Sequence, residues 1–140
     1  MAEESFRSVR LDRTSRGRYV VHNVRGGSIT IGTGEDGDFT PVELLLAAIG
    51  GCTAIDVDLI TSKRSEPIEF TVETTGDKIR DEGGNRLTNL AVRFSVTFPD
   101  DETGDTARDM LPRAVQMSHD RLCTVSRTVE LGSPVSSSIG

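Results

Sequence analysis

The feature that most constrains this chain is a long apolar segment, residues 42–60, which follows a well-marked helix start. Nearly every residue in the segment is apolar or small, and the run is too long for an ordinary strand, so it predicts a buried helix. Thr40 suits the N-cap, Pro41 suits the first helical position, and Glu43 completes a Thr-x-x-Glu capping box. We therefore predict a central helix over residues 41–61.

Helical spacing gives this segment one predicted packing face, made of Leu45, Ala48, Ile49, Cys52, Ile55 and Leu59. Gly50 and Gly51 are poor helix formers, so their presence together in mid-helix indicates that another backbone or a ligand comes close there. Glu43, Asp56 and Asp58 would be costly in lipid, which argues against a membrane span.

The rest of the chain predicts strands in blocks around this helix. The alternation of apolar and polar residues, with turns rich in Gly and Asn, predicts N-terminal strands within 5–31, a hairpin over 67–98 and a last strand over 124–131. A packing stripe at helical spacing predicts a second helix over 107–121; it consists of Met110, Leu111, Ala114, Val115, Ser118 and Leu122. Pro112 is expected either in the first turn of the second helix or at a break there. The order β-β-β-α-β-β-α-β predicts an α+β fold rather than a doubly wound sheet, and the length predicts a single domain over 1–140.

Composition limits the partners and the compartment that we expect. The formal net charge of −6 argues against a nucleic-acid partner, which needs a concentrated basic surface. The N-terminal residues MAEESFRSVR contain no apolar segment and so predict no signal peptide. We therefore expect a cytoplasmic protein that binds neither nucleic acid nor a membrane.

Two cysteines, Cys52 and Cys123, are the residues best suited to chemistry. The simplest interpretation is that each is a small buried hydrophobe. However, Cys52 follows Gly-Gly and Cys123 lies at a predicted helix-to-strand junction. If folding brings the sulfurs together, a sulfenic acid formed on one thiol can be resolved by the other as a disulfide.

A reactive thiolate needs a nearby cation to lower its pKa. Arg16 and Arg18 lie in or beside an early turn, where a solvated charge is the ordinary interpretation. Arg127 is expected on the same strand face as Val125 and Val129, either at a sheet edge or facing a pocket that contains Cys123.

Two acids near the predicted helix bear on the same thiol. Glu43 is explained by the capping box, although a role in catalysis stays open. Asp56, one turn beyond Cys52, is expected to raise the pKa of that thiol.

A metal site finds little support in the sequence. His119 and Cys123 are four residues apart on the predicted helix, which is a possible ligand spacing. Only His22 supplies a further imidazole, so a third and a fourth ligand are hard to find. We predict neither a metal nor an organic cofactor.

The segments TPVELLLAAIGGCTAID around Cys52 and HDRLCTVSRTVEL around Cys123 resemble the OsmC/Ohr superfamily of thiol-dependent peroxidases over essentially the whole chain. The resemblance implies an intertwined homodimer built on two long central helices. It implies that Cys52 is the peroxidatic thiolate, which attacks the O–O bond of an organic hydroperoxide, and that Cys123 is the resolving thiol. A dithiol, either lipoyl or thioredoxin-like, would reduce the disulfide, and neither metal nor flavin would be needed.

The chain departs from the family pattern at the helix start. In the active peroxidases a Glu directly follows the helix-starting Pro and orients an Arg against the thiolate, whereas here that position is Val42 and Glu43 is displaced by one. The family Arg corresponds to Arg16 or to Arg18. The resulting hypothesis is a cysteine-based hydroperoxide reductase of oxidative-stress defence with catalytic residues Cys52, Cys123, Arg16 and Glu43. The alternative is an OsmC-like dimer that binds a small molecule or senses redox state with little turnover.

Overall fold

A computed structural model describes residues 4–140 of the chain. It divides into two compact units, Met1–Leu45 and Leu46–Gly140, with the boundary inside the first helix. That the chain is a single domain, and that it forms a homodimer, both remain predictions. The mixture of helices with antiparallel sheets is the α+β class that the order of elements predicted.

The first unit holds a three-stranded antiparallel sheet in the order β1-β2-β3. Its strands are β1 (Arg10–Ser15), β2 (Arg18–His22) and β3 (Ser28–Ile31). β1 begins five residues later than the predicted Ser5, and residues 4–9 are not in a strand. Gly17, at φ 73°, makes the turn between β1 and β2, because glycine reaches this left-handed region without steric cost.

Helix α1 (Pro41–Thr61) has the predicted bounds. The capping box is also confirmed, since the Thr40 N–H donates to Glu43 Oε1 at 2.9 Å and the Glu43 N–H donates to Thr40 Oγ1 at 3.1 Å. By length and apolar composition α1 could cross a membrane, a test that the core helix of a globular fold also passes.

The predicted packing face of α1 is partly wrong. Ile49, Thr53 and Val57 are buried, whereas Ile55 and Leu59 are 62% and 61% exposed. The hairpin meets α1 at Gly50, where a Cβ atom would overlap with Thr74 Oγ1. The buried face is therefore centred beside the glycine that allows the close approach, and the opposite face stays uncovered in this chain.

The hairpin consists of β4 (Glu69–Asp81) and β5 (Gly84–Thr97). Its turn is tight, because Asp81 at the end of β4 already pairs with Gly84 at the start of β5. The predicted alternation holds along β5, where every second side chain from Leu90 to Val96 is less exposed than its neighbours, and it continues to the buried Phe98 just after the strand. Phe70 and Phe94 stack edge to face, with ring centroids 6.3 Å apart.

The second helix, α2 (Glu102–Met117), begins five residues before its predicted start. Asp101 caps it by accepting the Gly104 N–H at 2.8 Å. Pro112 consequently lies inside the helix and not in its first turn. A π-turn over Ser118–Leu122 follows α2 and is closed by the Cys123 N–H, which donates to the Ser118 carbonyl at 2.9 Å.

The predicted last strand, 124–131, is wrong: these residues form helix α3 (Thr124–Leu131). Val125 and Val129 fit the alternating pattern of a strand. They are also four residues apart, which places both on one face of a helix. Cys123 caps the N-terminus, and Gly132, at φ 67°, ends the helix by donating to the Thr128 and Val129 carbonyls. Because caps at both ends satisfy the backbone, the helix forms despite its β-branched residues.

Candidate active site

The two cysteines lie together in the second unit. Cys52 Sγ, Cys123 Sγ and a carboxylate oxygen of Asp56 are all within 4.8 Å of one another. Both thiols are free, and Cys123 is only 2% exposed. Helix α1 supplies Cys52 and Asp56, which are four residues apart and so share a face, and the junction of the π-turn with α3 supplies Cys123.

The N-terminus of α3 faces both sulfur atoms. The Ser126 N–H donates to Cys123 Sγ at 3.4 Å, and Ser126 Oγ lies 3.2 Å from the same sulfur. The Val125 N–H makes a hydrogen bond with the Cys52 sulfur. Because the first turn of a helix presents unsatisfied N–H groups and a partial positive charge, it stabilises a thiolate.

The two thiols have pKa values that are shifted in opposite directions. Burial raises the pKa of Cys52; a hydrogen bond from the Val125 N–H opposes this, whereas the Cys123 sulfur and the Asp56 carboxylate raise it further. Burial also raises the pKa of Cys123, but the hydroxyl and N–H of Ser126 and the Cys52 thiol outweigh it and lower the pKa overall. Cys123 is therefore the thiol that ionises first, and the Cys52 S–H donates to its sulfur. The predicted effect of Asp56 on Cys52 is confirmed.

A buried hydrogen-bonded chain holds Asp56 in place. Ser118 Oγ donates to Asp56 Oδ2 at 2.9 Å, and Thr53 Oγ1 lies 2.7 Å from Ser118 Oγ. A hydroxyl has one proton to donate, so Thr53 donates to Ser118. Thr53 is 6% exposed and Ser118 is 0% exposed, which makes this arrangement rigid.

The other residues predicted for the site are placed differently. Arg16 is exposed in the turn between β1 and β2, and Arg18 forms ion pairs with Asp36 and Asp38 within the first unit. Glu43 is engaged in the capping box. Arg127 does not share a strand face with its valines, because the segment is helical and the side chain is exposed.

His119 does not join Cys123 as a ligand pair. Its ring nitrogens contact Asp120 at 3.1 Å and Glu130 at 2.9 Å. Hydrogen bonds with Asp120, then with Glu130, raise the pKa of the His119 imidazole. The imidazole thus tethers the π-turn to α3.

A cavity of about 460 Å³ lies beside the thiols in the second unit. Its walls are mainly apolar and come from α1, β5, α2 and α3, with Ile49, Phe94 and Val129 among them. Gln116, His119 and Glu130 supply polar groups, and Ser126, the partner of Cys123, also lines it. The cavity therefore adjoins the sulfur pair through Ser126.

Sequence reasoning missed two parts of this site. The Thr53-Ser118-Asp56 chain joins residues that are more than 60 positions apart, and no local pattern predicts such a pairing. The N-terminus of α3 was hidden by the wrong strand assignment. Gly132, directly after the segment, is a common helix end signal and could have indicated the helix.

Comparison with known proteins is consistent with this architecture. The OsmC-like protein family matches residues 33–138. An uncharacterized protein of Mycobacterium tuberculosis, Rv2923c, is 27% identical over 127 residues, which cover 89% of this chain and 90% of that protein.

Two solved structures have the same fold. An OsmC-like protein of unknown function from Vibrio cholerae superposes with a TM-score of 0.75 at 16% identity, covering 91% of this chain and 95% of that one. The organic hydroperoxide resistance protein OhrB of Bacillus subtilis superposes with a TM-score of 0.55 at 17% identity, covering 89% and 90%. The resemblance noted in the sequence is confirmed: the chain belongs to the OsmC-like protein family.

Proposed function

We propose that this protein reduces hydroperoxides by means of its two thiols. The observation that carries the proposal is the convergence of Cys52 and Cys123, which come from distant parts of the sequence, at one site within 4.8 Å. A disulfide needs a sulfur–sulfur distance of about 2.05 Å, so closing the pair requires a movement of less than about 3 Å. The fold shared with an organic hydroperoxide resistance protein adds support.

The proposed cycle has three steps. The Cys52 thiolate attacks the O–O bond of ROOH, which forms Cys52–SOH and releases RO⁻ that takes up a proton as ROH. The Cys123 thiolate then attacks the sulfenic sulfur, which forms the disulfide and releases the hydroxyl as water after protonation. A small or protein dithiol, such as a lipoyl group or a thioredoxin-like protein, restores both thiols and becomes a disulfide itself.

The opposite pKa shifts suit Cys123 as the base and resolving thiolate, whereas Cys52, whose pKa is raised, must lose its proton before it attacks. In the resting pair, Cys123 accepts the hydrogen bond from the Cys52 S–H, so it can act as the base that deprotonates Cys52. The proton that Cys123 takes from Cys52 passes to the departing RO⁻, which leaves as ROH, so Cys123 returns to the thiolate form that hydrogen bonds from Ser126 favour. A resolving thiol that is already a thiolate traps the sulfenic acid quickly, which limits overoxidation.

Arg16 and Glu43 are proposed as the activating pair, by analogy with the Arg and Glu of the family. Glu43 uses Oε1 in the capping box, which leaves its second carboxylate oxygen available to orient a guanidinium. Arg16 is exposed and makes no ion pair that would hold it elsewhere among the described residues.

We also propose that the functional form is a homodimer. Gly51, Ile55 and Leu59 follow one another at four-residue spacing and all are exposed, so they form a strip along one face of α1. An added methyl at Gly51 would meet nothing within 4 Å in this chain. A second copy of α1 could therefore approach closely and cover the two apolar side chains.

The cavity favours one alternative function. An apolar pocket of about 460 Å³ has the size of a small-molecule site. In this alternative the protein binds an apolar or thiol-containing molecule, and the cysteines contribute to binding or redox sensing without turnover.

Peroxide titration with thiol counting tests the proposal. Reduced protein should lose two free thiols on one equivalent of cumene hydroperoxide, and a dithiol should restore both. Cys52→Ser should abolish hydroperoxide consumption, whereas Cys123→Ser should stop at a sulfenic acid or overoxidise. Thiols that stay unreactive toward hydroperoxides in the folded protein would favour the binding alternative.

A further inference from the structure

We propose that the reduced form of the chain binds one thiophilic divalent cation, such as Zn²⁺, through Cys52 Sγ, Cys123 Sγ and an oxygen of Asp56. Two thiolates and a carboxylate are ligands that Zn²⁺ prefers. The proposal goes beyond the peroxide chemistry, since it concerns a second state of the same thiols and does not depend on turnover.

The three ligand atoms are already close to the spacing that a metal site requires. The three ligand atoms lie within 4.8 Å of one another, whereas sulfur and oxygen ligands around tetrahedral zinc, at about 2.1 to 2.3 Å from the metal, are roughly 3.5 to 3.8 Å apart. The donors therefore need to approach by about 1 Å. Side-chain rotation at Cys52 and Asp56, which are not fully buried, is sufficient for a change of this size.

The surroundings of Asp56 are those of a metal ligand. Ser118 fixes Oδ2 from one side and Thr53 supports Ser118, which leaves Oδ1 to bind. Hydrogen bonds of this kind orient ligating carboxylates in metal sites. Within the described part of the second unit, the ion pairs join other residues, and no lysine or arginine pairs with Asp56.

The negative charges of the three ligands would stabilise a bound cation. Two thiolates and a carboxylate together carry about three negative charges, which cannot accumulate in a partly buried site without compensation. Binding of M²⁺ forms two metal–sulfur bonds and one metal–oxygen bond, and the two thiol protons leave to solvent. Three protein ligands leave a fourth position for water.

Metal binding and disulfide formation exclude each other, because both need the same sulfur electron pairs. The bound cation would protect the thiols from hydroperoxide, and oxidation would expel the cation. The site would thus hold the cation when the thiols are reduced and be empty when they form a disulfide.

The test uses untagged full-length protein, reduced, freed of reductant and kept anaerobic, with Co²⁺ and Zn²⁺ as probes. We expect one Co²⁺ per chain with a sulfur-to-cobalt charge-transfer band in the near ultraviolet, and displacement of Co²⁺ by Zn²⁺. Cys52→Ser and Cys123→Ser should each greatly weaken the band. Protein oxidised with diamide should bind no metal until it is reduced again.

Asp56 is tested by an isosteric pair of variants. Asp56→Asn should weaken Zn²⁺ binding about tenfold or more, while Asp58→Asn, exposed two residues further along α1, should bind as the parent does. Circular dichroism establishes that each variant is folded. Absence of the charge-transfer band in the parent protein, or equal Zn²⁺ affinity in both variants, would overturn the proposal. Hydroperoxide consumption, measured separately on metal-free protein, tests the proposed function.

Discussion

The sulfur of Cys123 accepts the backbone N–H of Ser126 at 3.4 Å, so this cysteine caps the helix that follows it. Cys52 receives a hydrogen bond from the N–H one residue earlier, at Val125. One helix end therefore serves both thiols. Because Cys123 Sγ also hydrogen-bonds with Ser126 Oγ at 3.2 Å, a contact that lowers the pKa of Cys123, the two sulfurs are electrostatically unequal.

We predict that Cys123 becomes reactive at lower pH than Cys52. Hydrogen bonds from Ser126 lower the pKa of Cys123 against the opposing effect of burial, whereas burial chiefly raises the pKa of Cys52. Raising the pH should therefore increase alkylation at Cys123 first. Rates of iodoacetamide labelling from pH 6 to 10, resolved by mass spectrometry of each peptide, measure this order.

Ser126→Ala provides the matched variant. The variant loses the hydroxyl contact of Ser126 but retains its backbone N–H, so the pKa of Cys123 should rise and its labelling should shift to higher pH. Thr128→Ala is the control variant: Thr128 is an exposed residue of α3, and its substitution should leave the labelling of Cys123 unchanged. A labelling rate of Cys52 that rises at lower pH than that of Cys123 would contradict the assignment.

Gly50→Ala should destabilise the fold. An added methyl would overlap with Thr74 Oγ1, although Thr74 Cβ, at 3.5 Å, is at an ordinary contact distance. Overpacking of this kind costs about 1 to 3 kcal/mol. Chemical denaturation measures the free energy of unfolding.

A double variant separates this clash from other effects. Thr74→Ala removes the overlapping oxygen, so Gly50→Ala combined with Thr74→Ala should lose less stability than the sum of the two single changes. Simple additivity would show that contact with Thr74 is not the cause.

Glu43→Gln separates helix capping from catalysis. Gln retains the carbonyl oxygen that accepts the Thr40 N–H, so the melting temperature should stay unchanged. If the carboxylate orients an arginine, hydroperoxide consumption should fall about tenfold, the effect of about 1.4 kcal/mol on the barrier. Steady-state kinetics with a dithiol reductant measure the change.

Thr40→Ala is the complementary variant. It should destabilise the protein by about 1 kcal/mol through the lost cap with less effect on turnover. Full activity in Glu43→Gln would restrict Glu43 to the capping box.

Leu59→Arg should break the proposed dimer. Leu59 is 61% exposed in the single chain, and an unpaired charge buried at an interface costs about 3 to 5 kcal/mol. Dimer dissociation should therefore become at least about 100-fold easier, as measured by sedimentation equilibrium. Glu82→Arg places the same side chain in the β4–β5 turn and should leave association unchanged. A parent protein that is monomeric at high concentration would refute the dimer.

The sequence predicted best those elements whose signals are local. α1 was placed at its observed bounds because Thr40, Pro41 and Glu43 form a complete start signal. The hairpin was recognised because alternation along β5 is strict. Both elements are set by short-range sequence patterns, and tertiary packing does not change their secondary structure.

The predictions that were wrong or missing concern features that depend on tertiary contacts, or segments whose apolar spacing fits both a strand and a helix. The valines of residues 124–131 fit a strand and a helix equally, and only the caps at Cys123 and Gly132 decide between them. The buried face of α1 depends on where the hairpin meets Gly50, which helical spacing alone does not fix. The contact between Ser118 and Asp56 is a property of the packed chain.

The π-turn at Ser118–Leu122 makes the site sensitive to chain length in a way that substitutions do not reveal. It encloses one residue more than an ordinary helical turn, and its closing bond runs from Ser118 to Cys123 itself. Deleting a single residue here would rotate everything that follows by about 100° around the helix axis. Cys123 would then point away from its partner sulfur, so the exposed Asp120 and Arg121 should tolerate changes of side chain while the segment does not tolerate a change of length.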